Sequence, residues 1–361
     1  MVADDSAVVR GLISRMLNAE ADMTVAASVG NGQLAVTQLA RTEIDVIVLD
    51  IEMPVMDGLT ALPKLKEIDP NVQVIMASTL TLRNAEISMR ALEAGAADYV
   101  PKPTSSRELS GGEDFRRDLI EKVRSLARVG RSGRATERTP RRAISHRPMA
   151  APRPAPEAAP IVLRDTPINR PDALVIGSST GGPQALLNVL KGLGPPPRVP
   201  VFVTQHMPAT FTAVLAEHIT RSTSLTCAEA IDGERVVPGR VYLAPGGFHM
   251  VVERKGVSTV VRLDSGPQEN FCRPAVDPML RSIARVYGGR TLVVILTGMG
   301  ADGLKGGREI TAAGGTVIAQ DESTSVVWGM PGSVASAGLC SAVLPVSHIA
   351  PYVNKIIGKV A

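Results

Sequence analysis

Two α/β domains, each on a mostly parallel sheet and joined by an arginine- and proline-rich tether, are the fold this sequence predicts. Three observations carry that expectation. The chain has 361 residues, more than one ordinary hydrophobic core organises. Strand-like apolar runs alternate with helical periodicity in both halves, the pattern of a parallel sheet covered on both faces. Between Arg128 and Arg170 stand ten arginines and seven prolines, against three acids and no aromatic residue. Such a stretch cannot bury a core and reads as a partly polyproline-like tether. The expected divisions are therefore residues 1–127, 128–170 and 171–361.

In the first half, Val46-Ile47-Val48-Leu49 ends at Asp50, Val72–Met76 ends near Ser78, and Ala97–Val100 leads to Lys102. Leu12, Ile13, Met16 and Leu17 fall at helical spacing, as do Phe115, Leu119, Val123 and Leu126. Ser6 and Asn31 are placed to cap the helices they precede. Only Met1-Val2-Ala3 precede the acidic pair Asp4-Asp5, so the first strand is shorter than the usual ~5–6 residues. A natural start a few codons upstream is the expectation from that shortness.

In the second half the candidate strands are Ala173–Gly177, Val199–Gln205, Tyr242–Ala244, Leu292–Leu296 and Thr316–Ala319. Helical patterns follow most of them, over Gln184–Lys191, Phe211–Arg221, Asp277–Tyr287 and Leu304–Thr311. Met250–Leu263, with Lys255-Gly256 at its middle, reads as an antiparallel hairpin.

Composition narrows the function classes. Apolar residues make up 44% and charged residues 20%, as in soluble globular domains. No apolar run approaches the ~18–20 residues of a spanning helix, and no signal-peptide pattern opens the chain. A cytoplasmic protein without membrane insertion is expected. Cys227, Cys272 and Cys340 are odd in number and widely spaced. They suggest neither a disulfide framework nor a metal motif, and each reads as a small buried hydrophobe. The net charge of +4 resides in the tether, which leaves the remainder acidic; nucleic acid is not the expected partner.

Four features of the first half fall at the carboxyl ends of strands, where open α/β sheets build their sites. They are Asp4-Asp5, Asp50, Ser78 and Lys102. Converging carboxylates suit Mg²⁺. One of them can attack a phosphoryl group while metal, hydroxyl and lysine neutralise its oxygens. Taken singly, each aspartate is as readily a turn residue or a helix cap.

The segments Asp4-Asp5-Ser6, Asp50-Ile51-Glu52-Met53-Pro54-Val55-Met56-Asp57-Gly58, Ser78 and Lys102-Pro103 resemble a two-component receiver domain over residues 1–127. The resemblance implies a flavodoxin-like fold with a five-stranded parallel sheet and Asp50 as phosphoacceptor. It implies a Mg²⁺ site of Asp4, Asp5, Asp50 and the Glu52 backbone carbonyl, with Asp5 a direct ligand. Ser78 and Lys102 would hold the phosphoryl oxygens, and Tyr99 would be the aromatic partner of the switch.

In the second half, Gly177-Ser178-Ser179-Thr180-Gly181 fits G-x-S-x-G between a strand and a helix, the context of a nucleophile elbow. A sharp turn exposes one serine, and the following helix N-terminus offers N–H groups to an oxyanion. A phosphate-cradling, nucleotide-binding loop is the rival, although no Gly-Lys-Ser/Thr ends it. His206 follows Val201–Gln205, and Asp302 follows Leu292–Leu296 within Thr297–Gly303. In a doubly wound sheet all three lie along one edge, as a Ser–His–Asp relay requires. His249 and Asp321 also sit near strand ends and stand as alternatives.

The second half is similar throughout to the CheB family of chemotaxis protein-glutamate methylesterases. The resemblance rests on Ile176–Gly182, Thr204–Pro208, Asp232-Gly233-Glu234, Ala244–Met250, Leu296–Gly303 and Gly329-Met330-Pro331. It implies Ser179, His206 and Asp302 as the triad, with Thr180 and Met299 on the oxyanion side. It implies hydrolysis of γ-glutamyl methyl esters on methyl-accepting chemoreceptors, with deamidation of receptor glutamines, and needs no cofactor for that hydrolysis. A monomer phosphorylated by the histidine kinase CheA and recruited to receptor arrays is the expected setting. Cys272 and Ala275 stand where the family more often has His and Ser, and are expected to touch no triad member. The alternative class, a DNA-binding response regulator using the basic tether, lacks a helix-turn-helix after the receiver and aromatics among its arginines.

Overall fold

The computed structural model describes residues 1–79, 81–102, 113–137, 161–165 and 169–358. Most of the expected tether, residues 138–160 and 166–168, lies outside them.

The first sheet has five parallel strands in the order β2-β1-β3-β4-β5. They are β1 (Val2–Ala3), β2 (Ser28–Val29), β3 (Val46–Asp50), β4 (Gln73–Ser78) and β5 (Asp98–Pro101). Strand β1 is short and central, and its ladder continues beyond its ends. The Val48 N–H donates to the Met1 carbonyl at 2.9 Å, and the Asp4 N–H donates to the Val29 carbonyl at 3.1 Å.

Helices α1 (Ala7–Asn18), α2 (Gly32–Leu39), α3 (Gly58–Ile68), α4 (Leu82–Glu93) and α5 (Glu113–Glu137) cover this sheet. Ser6 and Asn31 cap α1 and α2, accepting from the Val9 and Leu34 N–H groups. Helix α5 overruns the boundary expected at residue 127. Arginine is a good helix former, and the first proline of the stretch comes only at Pro140.

The second sheet has seven parallel strands in the order β14-β13-β12-β6-β7-β9-β8. Its centre is β12 (Thr291–Ile295), β6 (Ala173–Ser178) and β7 (Val201–Gln205). Outside these lie β13 (Thr316–Gln320), β14 (Cys340–Leu344), β9 (Arg240–Leu243) and β8 (Thr226–Glu229). The antiparallel hairpin is β10 (His249–Lys255) with β11 (Ser258–Asp264). The helices are α6 (Gly182–Leu193), α7 (Ala209–Ser222), α8 (Val276–Tyr287), α9 (Leu304–Ala312), α10 (Met330–Ser336) and α11 (Val346–Gly358).

The two domains share an apolar cluster that includes Met89 and Tyr99 on one side and Phe211 and Leu215 on the other. Helix α4 lies against α6 and α7. The Tyr99 ring stacks on Phe211, His218 Nε2 meets Glu93 Oε1 at 2.9 Å, and Gln184 Nε2 donates to the Ala96 carbonyl at 3.4 Å.

Candidate active site and receiver site

At the carboxyl edge of the first sheet, the Asp4, Asp5 and Asp50 carboxylate oxygens lie within 4.8 Å of one another. Lys102 Nζ bridges two of them, 2.6 Å from Asp4 Oδ2 and 2.7 Å from Asp50 Oδ1. Burial pushes the Asp50 carboxyl up to about 6; Lys102 works against that shift and the Asp4 charge adds to it. Three crowded carboxylates beside one lysine are a hard-oxygen donor set suited to a dication such as Mg²⁺. Gly58 is required here, because a Cβ would collide with the Asp50 backbone carbonyl. Ser78 ends β4, buried, and its Oγ accepts from Ser88 Oγ at 3.2 Å.

Along the second sheet, the ends of β6, β7 and β12 carry Ser179, His206 and Asp302 side by side, since β6 pairs with both other strands. Ser179 occupies the turn from β6 into α6, where Gly181 takes a φ of 72°. Its N–H donates to the Thr297 carbonyl at 3.1 Å. Gly298 lets the next loop close on it: a Cβ there would sit 2.9 Å from Ser179 Cβ. The neighbouring Ser178 is fully buried and donates to Gln205 Oε1 at 2.6 Å. Gln205 Nε2 in turn donates to the Ser179 and His206 carbonyls. The two serines thus divide: Ser178 ties strands together and Ser179 faces a cavity. The Thr180 and Met299 N–H groups make no hydrogen bond among the described residues, as oxyanion donors would require.

His206 Nε2 lies 2.7 Å from Asp302 Oδ2. Asp302 also receives the Val276, Asp277 and Gly303 N–H groups and the Asn270 amide, at 2.6 to 3.0 Å. It therefore caps α8, which has no side-chain cap from Ala275. Asp277 reciprocates, its Oδ1 accepting from Gly303 and Gly306 at the start of α9. Burial alone would raise the Asp302 carboxyl; the His206 contact and the helix N–H groups outweigh it and hold the group below its ordinary range. Burial would lower His206, but the Cys272 and Asp302 contacts win and push it up to about 10.

One sequence expectation needs correction. Cys272 does touch a member of the expected triad: its Sγ lies 3.3 Å from His206 Nδ1, while Cys227 and Cys340 are buried as expected. The rivals resolve as structural groups. His249 spans the Pro267 carbonyl and the Ala275 N–H, and Asp321 closes a local turn with Ser323 and Thr324. Asn270 and Asp277 were not singled out by sequence reasoning; an N-terminal acid on α8 was their one visible signal.

A cavity of about 1350 Å³ joins both domains. Ser179, His206, Met299 and Asp302 line it from one side, and Tyr99 and Lys102 from the other. Beside it Asp98 is buried, which raises its carboxyl, with Lys122 and the Thr180 hydroxyl opposing the shift. No helix among the described residues is long and apolar enough to cross a membrane.

Residues 174–353 match the family described as CheB methylesterase, and residues 1–111 the response regulator receiver domain. The chain is 58% identical to "Protein-glutamate methylesterase/protein-glutamine glutaminase 1" of Paramagnetospirillum magneticum, covering 99% of this chain and 96% of that protein. It is 57% identical to "Protein-glutamate methylesterase/protein-glutamine glutaminase" of Azospirillum brasilense, covering 100% and 93%. Among solved structures, the catalytic domain of the Thermotoga maritima CheB methylesterase matches at 44% identity and a TM-score of 0.50, over 51% of this chain and 98% of that one. The DNA-binding alternative finds no support in these matches.

Proposed function

The chain belongs to the CheB methylesterase family, and from that premise we propose how it works: a Ser179–His206–Asp302 relay performs the hydrolysis, and a receiver phosphorylated at Asp50 governs access to it. Its activity is that of a protein-glutamate methylesterase and protein-glutamine glutaminase. The substrates are γ-glutamyl methyl esters, and glutamines, of methyl-accepting chemoreceptors.

Asp302 accepts the Nε2 proton of His206, which leaves the Nδ1 lone pair as the base. Nδ1 takes the Ser179 hydroxyl proton as Oγ bonds to the ester carbon, and the oxyanion faces the Thr180 and Met299 N–H groups. Collapse of the adduct breaks the ester bond, and methanol leaves with the proton from Nδ1. Water repeats the sequence on the Ser179 acyl ester and frees the glutamate; from glutamine, ammonia leaves instead.

Phosphorylation at Asp50 is assigned to the chemotaxis histidine kinase CheA, in a cytoplasmic monomer recruited to receptor arrays. Asp5, Asp50 and the Glu52 backbone carbonyl, with Asp4 nearby, would hold Mg²⁺, which neutralises phosphoryl oxygens when bound. Ser78 and Lys102 receive the remaining oxygens. The receiver is read as ending with α5. The observation that carries the regulatory reading is the shared cavity, in which Tyr99 and Lys102 face Ser179 and His206. In this reading that wall keeps a receptor helix from Ser179 until phosphorylation loosens it. Methanol release from methylated receptor, with and without a small phosphodonor, tests it: release that needs Ser179 and rises with the phosphodonor only when Asp50 is intact is expected. Equal release by Asp50→Asn with phosphodonor would overturn the receiver's role.

A further inference from the structure

Residues Glu269 to Cys272 form a tight turn. The Cys272 N–H donates to the Glu269 carbonyl at 2.9 Å and the Glu269 N–H to the Cys272 carbonyl at 3.1 Å. Both central residues are left-handed, Asn270 at φ 51° and Phe271 at φ 63°. Asparagine tolerates that region; phenylalanine does so only where the surroundings enforce it. Glu269 anchors the turn to α8 through a two-pronged ion pair with Arg281.

The strained backbone has a visible result. It aims Asn270 and Cys272 inward and leaves Phe271 69% exposed, under the Arg117 guanidinium of α5 at 4.3 Å. Asn270 Nδ2 donates to Asp302 Oδ1 at 2.8 Å and to Asp277 Oδ2 at 3.1 Å. Cys272 Sγ lies 3.3 Å from His206 Nδ1. One four-residue turn thus grips both the acid and the base of the relay.

We infer that the Glu269–Cys272 turn is the positioning element of the relay, with Asn270 fixing the Asp302 carboxylate and the Cys272 thiol holding the imidazole at the nitrogen that must accept the Ser179 proton. The inference rests on the reading of Ser179, His206 and Asp302 as the reacting group.

The chemistry follows from the tautomer. Asp302 takes the Nε2 proton, so neutral His206 presents a lone pair at Nδ1, and the thiol donates to it. A thiol is a weak donor, so the ring is held in orientation yet can be surrendered to the Ser179 hydroxyl when substrate arrives. Once Nδ1 carries a proton, the polarisable sulfur becomes the acceptor and favours the imidazolium. Cys272 therefore sets both where the ring points and how readily it keeps its proton.

Other charges face the same ring. Asp302 holds Nε2, Asp277 lies behind Asn270, and Arg273 follows in the chain. From the receiver, Arg15, Lys102 and the charged face of α5 from Glu113 to Lys122 line the cavity. All of them persist in the variants below, so the difference isolates the turn.

The experiment measures kcat and KM for methanol release from methylated receptor by the full chain across pH. Cys272→Ala, which removes the acceptor, should move the acidic limb of kcat/KM to lower pH, by on the order of one unit, whereas Cys272→Ser should leave the limb nearer the parent's. The serine variant, which retains a donor, should keep more of the plateau. Asn270→Ala should lower kcat by roughly 10- to 100-fold with KM little changed. An acidic limb that stays put in Cys272→Ala, or an Asn270→Ala effect confined to KM, would overturn the inference. Should Asn270→Ala melt below the assay temperature, Cys272→Ala carries the decision. Ser179→Ala separates the two levels: if it still hydrolyses the ester, the relay itself is misassigned, whatever the turn does.

Discussion

Tyr99 and Phe211 lie ring to ring, with centroids 4.2 Å apart and planes inclined by 7°, one from each domain. Both are buried, and Lys122 Nζ sits 5.2 Å from the Tyr99 ring centre while donating to the Tyr99 carbonyl at 2.7 Å. The aromatic residue proposed to report the phosphorylation state is therefore wedged into its neighbour's apolar surface. It cannot change rotamer without loosening that contact.

Phe211→Leu keeps an apolar side chain and loses a stack worth about 0.5–1.5 kcal/mol. Methanol release without phosphodonor should rise roughly 2- to 10-fold, and the further gain on adding phosphodonor should shrink. A basal rate at or below that of the parent chain would remove the stack from the resting contact.

Ser179→Ala should lower kcat by about 10⁴–10⁶ with an unchanged melting temperature, because its Oγ makes no hydrogen bond among the described residues. Ser178→Ala should do the converse. It strips a buried 2.6 Å bond from Gln205, so the melting temperature should fall while most activity survives, at a cost of about 1–3 kcal/mol. Reversed effects would exchange the two assignments.

The proposed relay needs Nδ1 of His206 free of its proton, and the contacts that raise its basicity keep the proton bound to higher pH. Activity should therefore rise with pH along a limb displaced upward from the ordinary imidazole value of 6.5. Asp302→Asn should lower kcat by about 10⁴ and move the limb down. A parent profile with its midpoint at or below the ordinary value would contradict the geometry around Nδ1.

The Asp50 carboxyl, raised to about 6 from 3.8, ionises at the expense of folding. Its contribution to stability is fully present below 3.8 and is lost as pH rises through about 6. Asp50→Asn should therefore melt higher than the parent at neutral pH, with the advantage vanishing in the carboxyl range. Mg²⁺ should raise the parent's melting temperature and leave Asp5→Asn largely unmoved. Thermal melts over pH and metal concentration decide both.

The strand ends at Asp50, Ser179, His206 and Asp302 were legible because each follows a fully buried apolar run, and parallel topology then fixes one common edge. The edge strands β8 and β14 were not, since short, half-buried strands show no such run. Asn270 and Cys272 escaped for a different reason. They lie in an irregular segment, 32 and 66 residues from the groups they hold, and no periodicity reports a turn whose left-handed residues include a phenylalanine. Helix α5 runs past residue 127 into the arginine-rich stretch because arginine favours helix and the first proline comes only at Pro140.

Asp302 answers to two masters. The carboxylate that steadies the imidazole is also the plug at the start of α8, and Asp277 plugs α9 in exchange. An asparagine at 302 would have to turn its amide toward either the ring or the helix N–H groups, and would be wrong for one of them. A descendant that gave up hydrolysis yet kept this architecture could therefore discard Ser179 without structural penalty, but not Asp302. In such a lineage the acid would outlive the reaction, a fossil held in place by the two helices it joins.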